Sequence, residues 1–252
     1  FAPEAGSQRM RNVINKGLTV EDILGGAGEA FKGGWNKVKL YFMLGLPTET
    51  EEDMRAIPEL ANEIAALYYD TVPKQERVGK CQITMSTSFF IPKPFTPFQW
   101  AKMEDPGEYL RRASIVNETM KAQLNHKSLR YNWHEADVSI MEGVFARGDR
   151  KLNEAIIRAW ELGCKFDSWG EHFKYDKWLQ AFAETGIVPE FYSERVRGAD
   201  EYLPWDIIDC GVTKQFLLRE REKAYNEKTT PSCAEHCSGC GANSLGDKNR
   251  WC

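Results

Sequence analysis

The sequence predicts an α/β fold with parallel strands. Two short apolar runs, Val38 to Leu44 and Cys81 to Ile91, have strand length, and amphipathic helical segments stand before, between and after them. Helix-capping residues mark the junctions, so strand and helix alternate as right-handed crossovers require. The 252 residues, 42% hydrophobic and 28% charged with only 20 Gly and 11 Pro, exclude collagenous, disordered and low-complexity chains and allow one large domain or two modest ones. The longest strongly apolar stretch, Leu40 to Leu46, is far shorter than the roughly 18 residues of a membrane span, so no membrane partner is expected. Lys plus Arg total 33 against 37 Asp plus Glu, so no global positive field draws the chain to nucleic acid or anionic lipid. The chain opens on Phe1-Ala2-Pro3-Glu4 without Met, basic segment or apolar signal core. The expectation is a chain cut in mid-domain, with a cytoplasmic location.

Phe1 to Glu4 reads as a strand end. Ser7 caps a short helix with Met10, Val13 and Ile14 on one face, stopped at Gly17. Thr19 caps a second helix whose Ile23, Leu24, Ala27, Ala30 and Phe31 have helical spacing, although its three glycines each cost about 1 kcal/mol relative to Ala. Val38 to Leu44 then reads as a strand buried on both faces. Thr50 with Asp53 forms an acidic capping box for a helix carrying Met54, Ile57, Ala61, Ile64 and Tyr68, in which Pro58 predicts a kink or a division. After the second strand, the prolines at 92, 94 and 97 predict an extended path leaving the sheet. Asp105, Pro106 and Glu108 supply the cap, first and third positions of the next helix. From Tyr131 onward the texture is helical, around Val138–Ala146, Leu152–Leu162, Lys177–Thr185 and Thr213–Lys223. Six of the eight tryptophans fall there and are expected to pack between elements.

Three segments can carry chemistry. Phe1-Ala2-Pro3-Glu4-Ala5-Gly6-Ser7 places a glycine and a carboxylate at a strand-to-helix junction, where exposed amides and the helix dipole suit a carboxylate or ribose. Its plain alternative is an ordinary loop with Ser7 as cap. Met43-Leu44-Gly45-Leu46-Pro47-Thr48-Glu49-Thr50 lies at the next such junction; Gly45 permits close approach of a ligand, and Glu49 can rigidify the loop. Parallel α/β folds place their sites at this edge of the sheet. Cys233, Cys237, Cys240 and Cys252 form a terminal thiolate group suited to zinc or an iron-sulfur cluster, with His236 as an alternative fourth ligand and a flexible redox tail as the plain reading. Cys81, Cys164 and Cys210 read as small hydrophobes. Alternation puts Lys39, Tyr41 and Met43 on one strand face. A lysine within such a strand needs a carboxylate partner or marks an exposed strand end.

The segments Phe1 to Arg11, Lys39 to Thr50 and Phe90-Ile91-Pro92-Lys93-Pro94-Phe95-Thr96-Pro97-Phe98-Gln99-Trp100, with Trp160-Glu161-Leu162-Gly163 and Trp169-Gly170-Glu171-His172-Phe173, resemble radical S-adenosylmethionine (radical SAM) enzymes. More closely, they resemble those associated with a cobalamin (B12)-binding domain. The resemblance implies the second half of a partial, TIM-like β/α barrel, its last three strands within residues 1–125. A mainly helical region at 126–228 and a Cys-rich tail at 229–252 would follow. It implies that Glu4 contacts the ribose of S-adenosylmethionine, that Ser7 and Arg9 stand near its methionine part, that Gly45 and Glu49 shape the adenine side, and that the backbone of Phe90 and Ile91 lies near the adenine. It further implies a 4Fe-4S cluster whose three-cysteine motif belongs after the first strand, in an N-terminal half that this sequence lacks. Cys233, Cys237 and Cys240 share that motif's spacing but follow the barrel, so they imply an accessory cluster or structural zinc. The expected function is radical-based modification of an unknown substrate, with methyl or methylthio transfer among the candidate reactions, RNA or protein among the candidate substrates, and the fragment inactive alone. The alternative is a metal-dependent RNA- or protein-binding module without catalysis.

Overall fold

A computed structural model describes residues 1–245. Three parallel strands, β1 (Lys37–Leu44), β2 (Gln82–Phe89) and β3 (Leu129–Trp133), form an open sheet in the order β1-β2-β3. Pairing runs from Lys37 opposite Gln82 to Leu44 opposite Phe89, and from Ile83 opposite Leu129 to Thr87 opposite Trp133. Outside β1, Glu4 forms a parallel bridge with Phe42: its amide donates to Tyr41 O at 3.1 Å and its carbonyl accepts from Met43 N at 2.8 Å. The expected strand end is therefore present at Glu4. β3 lies in the region expected to be helical. Its five residues alternate in burial only weakly, which hides it in the sequence.

The helices preceding β3 are α1 (Gln8–Val13), α2 (Val20–Lys32), α3 (Glu51–Thr71) and α4 (Pro106–Ala122). Each starts where its cap predicts. Met10 N donates to Ser7 Oγ at 3.1 Å, Asp22 N to Thr19 Oγ1 at 3.1 Å and Glu108 N to Asp105 Oδ1 at 3.1 Å, while Thr50 N donates back to Asp53 Oδ2 at 2.8 Å. Pro58 does not divide α3, which runs unbroken for 21 residues. Pro58 is itself buried beside Ile57, Leu60 and Ala61, and packing of that face offsets the hydrogen bond that proline forfeits.

Burial in β1 and β2 alternates strictly, and this corrects the reading of Val38 to Leu44 as buried on both faces. Val38, Leu40, Phe42 and Leu44 are buried with Ile83, Met85 and Phe89 in one core against α2, α3 and α4; the intervening Lys37, Lys39 and Tyr41 are exposed. Each fully buried Leu, Ile or Phe contributes about 1.5–3 kcal/mol, so the helix-covered face holds the sheet together. The same core continues into α5 (Ala136–Arg147), α6 (Leu152–Glu161), α7 (Tyr175–Thr185) and α8 (Pro189–Ser193) through Ile140, Val144, Ala155, Phe182 and Tyr192.

The proline segment departs from its expected extended path. It folds into successive turns, with Gln99 N donating to Thr96 O at 3.1 Å and Ala101 N to Phe98 O at 2.9 Å. The cause is burial of Phe98, Gln99 and Trp100; Gln99 Oε1 accepts from Phe95 N at 3.0 Å and Trp205 Nε1 at 2.7 Å. α9 (Lys214–Tyr225), capped by Thr213, closes over this segment. The tryptophans are less interior than expected: Trp178 and Trp205 are buried, Trp133, Trp160 and Trp169 are exposed, and Trp251 lies outside the described residues. Among the described residues no helix is long and apolar enough to cross a membrane.

Candidate functional site at the strand ends

A cavity of about 1240 Å³ opens at the C-terminal ends of β1 and β2. Met43, Ser88, Phe90 and Ile91 form its floor, Val13 to Leu18 one wall, and Phe98, Ala224 and the segment from Lys228 to Cys233 the opposite side. Leu46, Phe90, Phe98 and Ala224 of its lining belong with Ala5 and Met10 to a separate apolar cluster. Thr230 fastens the Lys228–Cys233 segment: its amide donates to Asn15 Oδ1 at 2.9 Å and its hydroxyl takes a hydrogen bond from Lys223 Nζ at 2.8 Å. The sequence carried no signal for this wall, because Asn15 and Thr230 are 215 residues apart.

Of the residues expected at the site, Phe90 and Ile91 line the cavity. Phe90 N donates to Leu44 O at 2.7 Å and Phe90 O accepts from the Tyr109 hydroxyl at 2.8 Å, which fixes the chain where it leaves the sheet. The Ile91 amide has no partner among the described residues. Glu4 stands beside the cavity, its carboxylate 3.4 Å from Nζ of the lining residue Lys16.

Ser7 and Arg9 are occupied elsewhere. Ser7 Oγ donates to Asp53 Oδ1 at 2.5 Å, and Arg9 pairs with both Asp53 oxygens while donating to Thr48 O at 2.7 Å and Glu227 Oε1 at 3.2 Å. Burial works to raise the Asp53 pKa, but the Arg9 guanidinium with Ser7 and Thr50 overcomes it and leaves the carboxyl below its ordinary range. The pair thus fastens α1 to the start of α3.

Gly45 and Glu49 shape the second loop from within. Gly45 has φ +87°, and a Cβ there would lie 2.5 Å from the Tyr109 ring, so the glycine admits Tyr109. Glu49 Oε2 accepts from Gly45 N at 2.7 Å and Arg112 Nη1 at 2.8 Å. Its burial outweighs both contacts and pushes its carboxyl up to about 7. Among the described residues, the non-glycine positions with left-handed backbone are Glu4, Asn15, Thr48, Phe95, Phe166 and Glu227. For β-branched Thr48 this is a genuine outlier, held by the Arg9 bond to its carbonyl.

Cys233 lies on the cavity wall, and the Cys240 carbonyl accepts from Thr213 N at 2.9 Å; Cys252 lies outside the described residues. Among the described residues no three His, Cys, Asp or Glu side chains converge on a metal position. Cys81 and Cys164 are buried and burial raises both thiol pKa values, that of Cys81 to about 11, as expected for inert core cysteines.

Fold and site together define an α/β protein whose parallel sheet carries helices on one face and a cavity at its strand ends. The chain is 27% identical over 187 residues to an uncharacterized protein of Methanocaldococcus jannaschii, an alignment covering 74% of this chain and 38% of that protein. The chain therefore spans well under half the length of that relative. No protein-family model matches the chain, and no solved structure does.

Proposed function

We propose that this chain is the second half of a radical SAM barrel, binding the adenosyl part of S-adenosylmethionine at the ends of β1 and β2. The observation that carries the proposal is the one-sided sheet. Its strands follow chain order with no switch point, its helices cover one face only, and its strand ends open on a cavity walled by Phe90 and Ile91. A doubly wound sheet would reverse strand order and be covered on both faces; a barrel segment would do neither. The free Ile91 amide is a donor suited to an adenine ring nitrogen, and Glu4 beside Lys16 stands where a ribose hydroxyl can donate to a carboxylate.

S-adenosylmethionine with a reduced 4Fe-4S cluster supplies radical hydrogen abstraction, and the cluster ligands and any cobalamin-binding domain would come from elements outside this sequence. This chain's residues position and shield. Phe90 and Phe98 offer apolar surface to the cavity, and the Thr230-fastened segment lines it. Substrate and transferred group, methyl or methylthio, belong to the complete protein.

Equilibrium dialysis of labelled S-adenosylmethionine tests the reading. Binding on the order of millimolar, as expected of half a pocket, should be competed by S-adenosylhomocysteine and lost in Ile91→Pro, which removes the amide donor. Retention of full binding in that variant, or no binding at several times that concentration, would contradict it.

A further inference from the structure

Parallel sheets are normally covered on both faces, yet the face of this sheet opposite α2, α3 and α4 is exposed or half-buried throughout. Pairing register writes that face in rows. Lys37 stands beside Gln82; Lys39, Thr84 and Arg130 form a row across all three strands; Tyr41, Ser86 and Asn132 form the next; Met43 and Ser88 form the last and also line the strand-end cavity. These ten positions hold three cations and no carboxylate, in a chain where Asp and Glu outnumber Lys and Arg by 37 to 33. Lys37, Lys39 and Arg130 form no ion pair among the described residues. Lys39 Nζ instead lies 4.8 Å from the Tyr41 ring centre, and Arg130 Nη1 donates to Leu129 O at 2.7 Å. Adjacent strands are about 4.8 Å apart, so Lys39 and Arg130 flank the Thr84 hydroxyl at a spacing from which two long side chains can close on one dianion.

We propose that this open face binds a small phosphomonoester, with its phosphate on the row Lys39, Thr84 and Arg130 and its uncharged remainder running past Tyr41 and Met43 to the strand-end cavity. Charge complementarity selects the anion, and one cationic row leading to a cavity of small-molecule size selects a compact ligand over a polymer. The inference deepens the radical SAM reading and rests on it for one element only, that the ligand's uncharged end is the part presented to the cofactor.

The test is a nuclear magnetic resonance titration of the full chain with phenyl phosphate. Phenyl phosphate should shift the amides of Lys39, Thr84 and Arg130, while phenol should not. Affinity should fall about tenfold or more in the doubly substituted Lys39→Ala, Arg130→Ala chain and stay unchanged in Lys32→Ala, an exposed α2 control. All these side chains are exposed, so folding is preserved. Equal affinity in the double variant, or no shift on the face, overturns the proposal. Binding of a decauridylate by the same rows with no response to phenyl phosphate overturns it in favour of nucleic acid. S-adenosylmethionine is titrated separately and read at Phe90 and Ile91, so failure of the phosphate site and failure of the cofactor site are distinguished.

Discussion

Arg112, on α4, donates from Nη1 to Glu49 Oε2 at 2.8 Å, and the same carboxylate oxygen accepts the amide of Gly45. One buried acid thus joins the loop leaving β1 to the helix behind it. Glu104 and Glu108 also pair with Arg112, at 3.3 and 2.8 Å, so the guanidinium keeps partners when Glu49 is removed whereas Gly45 does not. Glu49→Ala should cost about 1–3 kcal/mol in urea denaturation, the range for a buried donor left without its acceptor. Glu49→Gln retains an acceptor for Gly45 and should cost clearly less.

Glu49 also sets a pH dependence. Its carboxyl titrates near 7 in the folded protein against an ordinary 4.5, so between those values the folded state holds a proton that the unfolded state has released. Stability contributed by this group is present below about 4.5 and is lost as pH rises through 7, by up to about 3 kcal/mol. Denaturation of the wild type and of Glu49→Gln at pH 5 and pH 8 should show the difference between them shrinking or reversing in the variant's favour at the higher pH.

Asp53 works in the opposite sense. Its depressed pKa contributes stability that is full above the ordinary carboxylate range and is lost as pH falls through its folded value. Asp53→Ala unties Ser7, Arg9 and Thr50 together and should cost about 2–4 kcal/mol at neutral pH. The loss should vanish in acid, where the wild-type carboxyl is protonated too.

Two glycines separate packing from backbone effects. A Cβ on Gly6 would sit 2.4 Å from the Ile57 amide nitrogen, against backbone that cannot yield, so Gly6→Ala should cost about 3 kcal/mol or more. Gly17 has φ +60° and open space around it, so Gly17→Ala should cost only about 1–2 kcal/mol. Thermal melts of the two variants should differ accordingly.

Local signals are legible in the sequence: the caps at Ser7, Thr19, Thr50 and Asp105 stand where short-range hydrogen bonding requires, whereas the cap at Thr213 is read only from the structure. β3 was not legible, because Arg130, Asn132 and Trp133 are exposed and its partners are chosen by a strand some 45 residues earlier. Glu49 was legible as a loop acid but not as a buried one, since its burial depends on Tyr109 and Arg112 of a later helix. The resemblance points to Phe90 and Ile91, which line the cavity, and to Ser7 and Arg9, which bond to Asp53. The wall formed by Asn15 and Thr230 depends on tertiary closure and leaves no periodic or compositional trace.

In the proposed function, adenosine lies on the strand-end floor. Saturation transfer from the methyl protons of the protein to S-adenosylmethionine, with the Phe90 and Ile91 resonances followed in the same titration, tests it most directly. Transfer should be strongest at the adenine protons, together with shifts at Phe90, Ile91 and Met43. Transfer confined to the methionine end, or shifts that leave Phe90 and Ile91 untouched at saturating ligand, would contradict it.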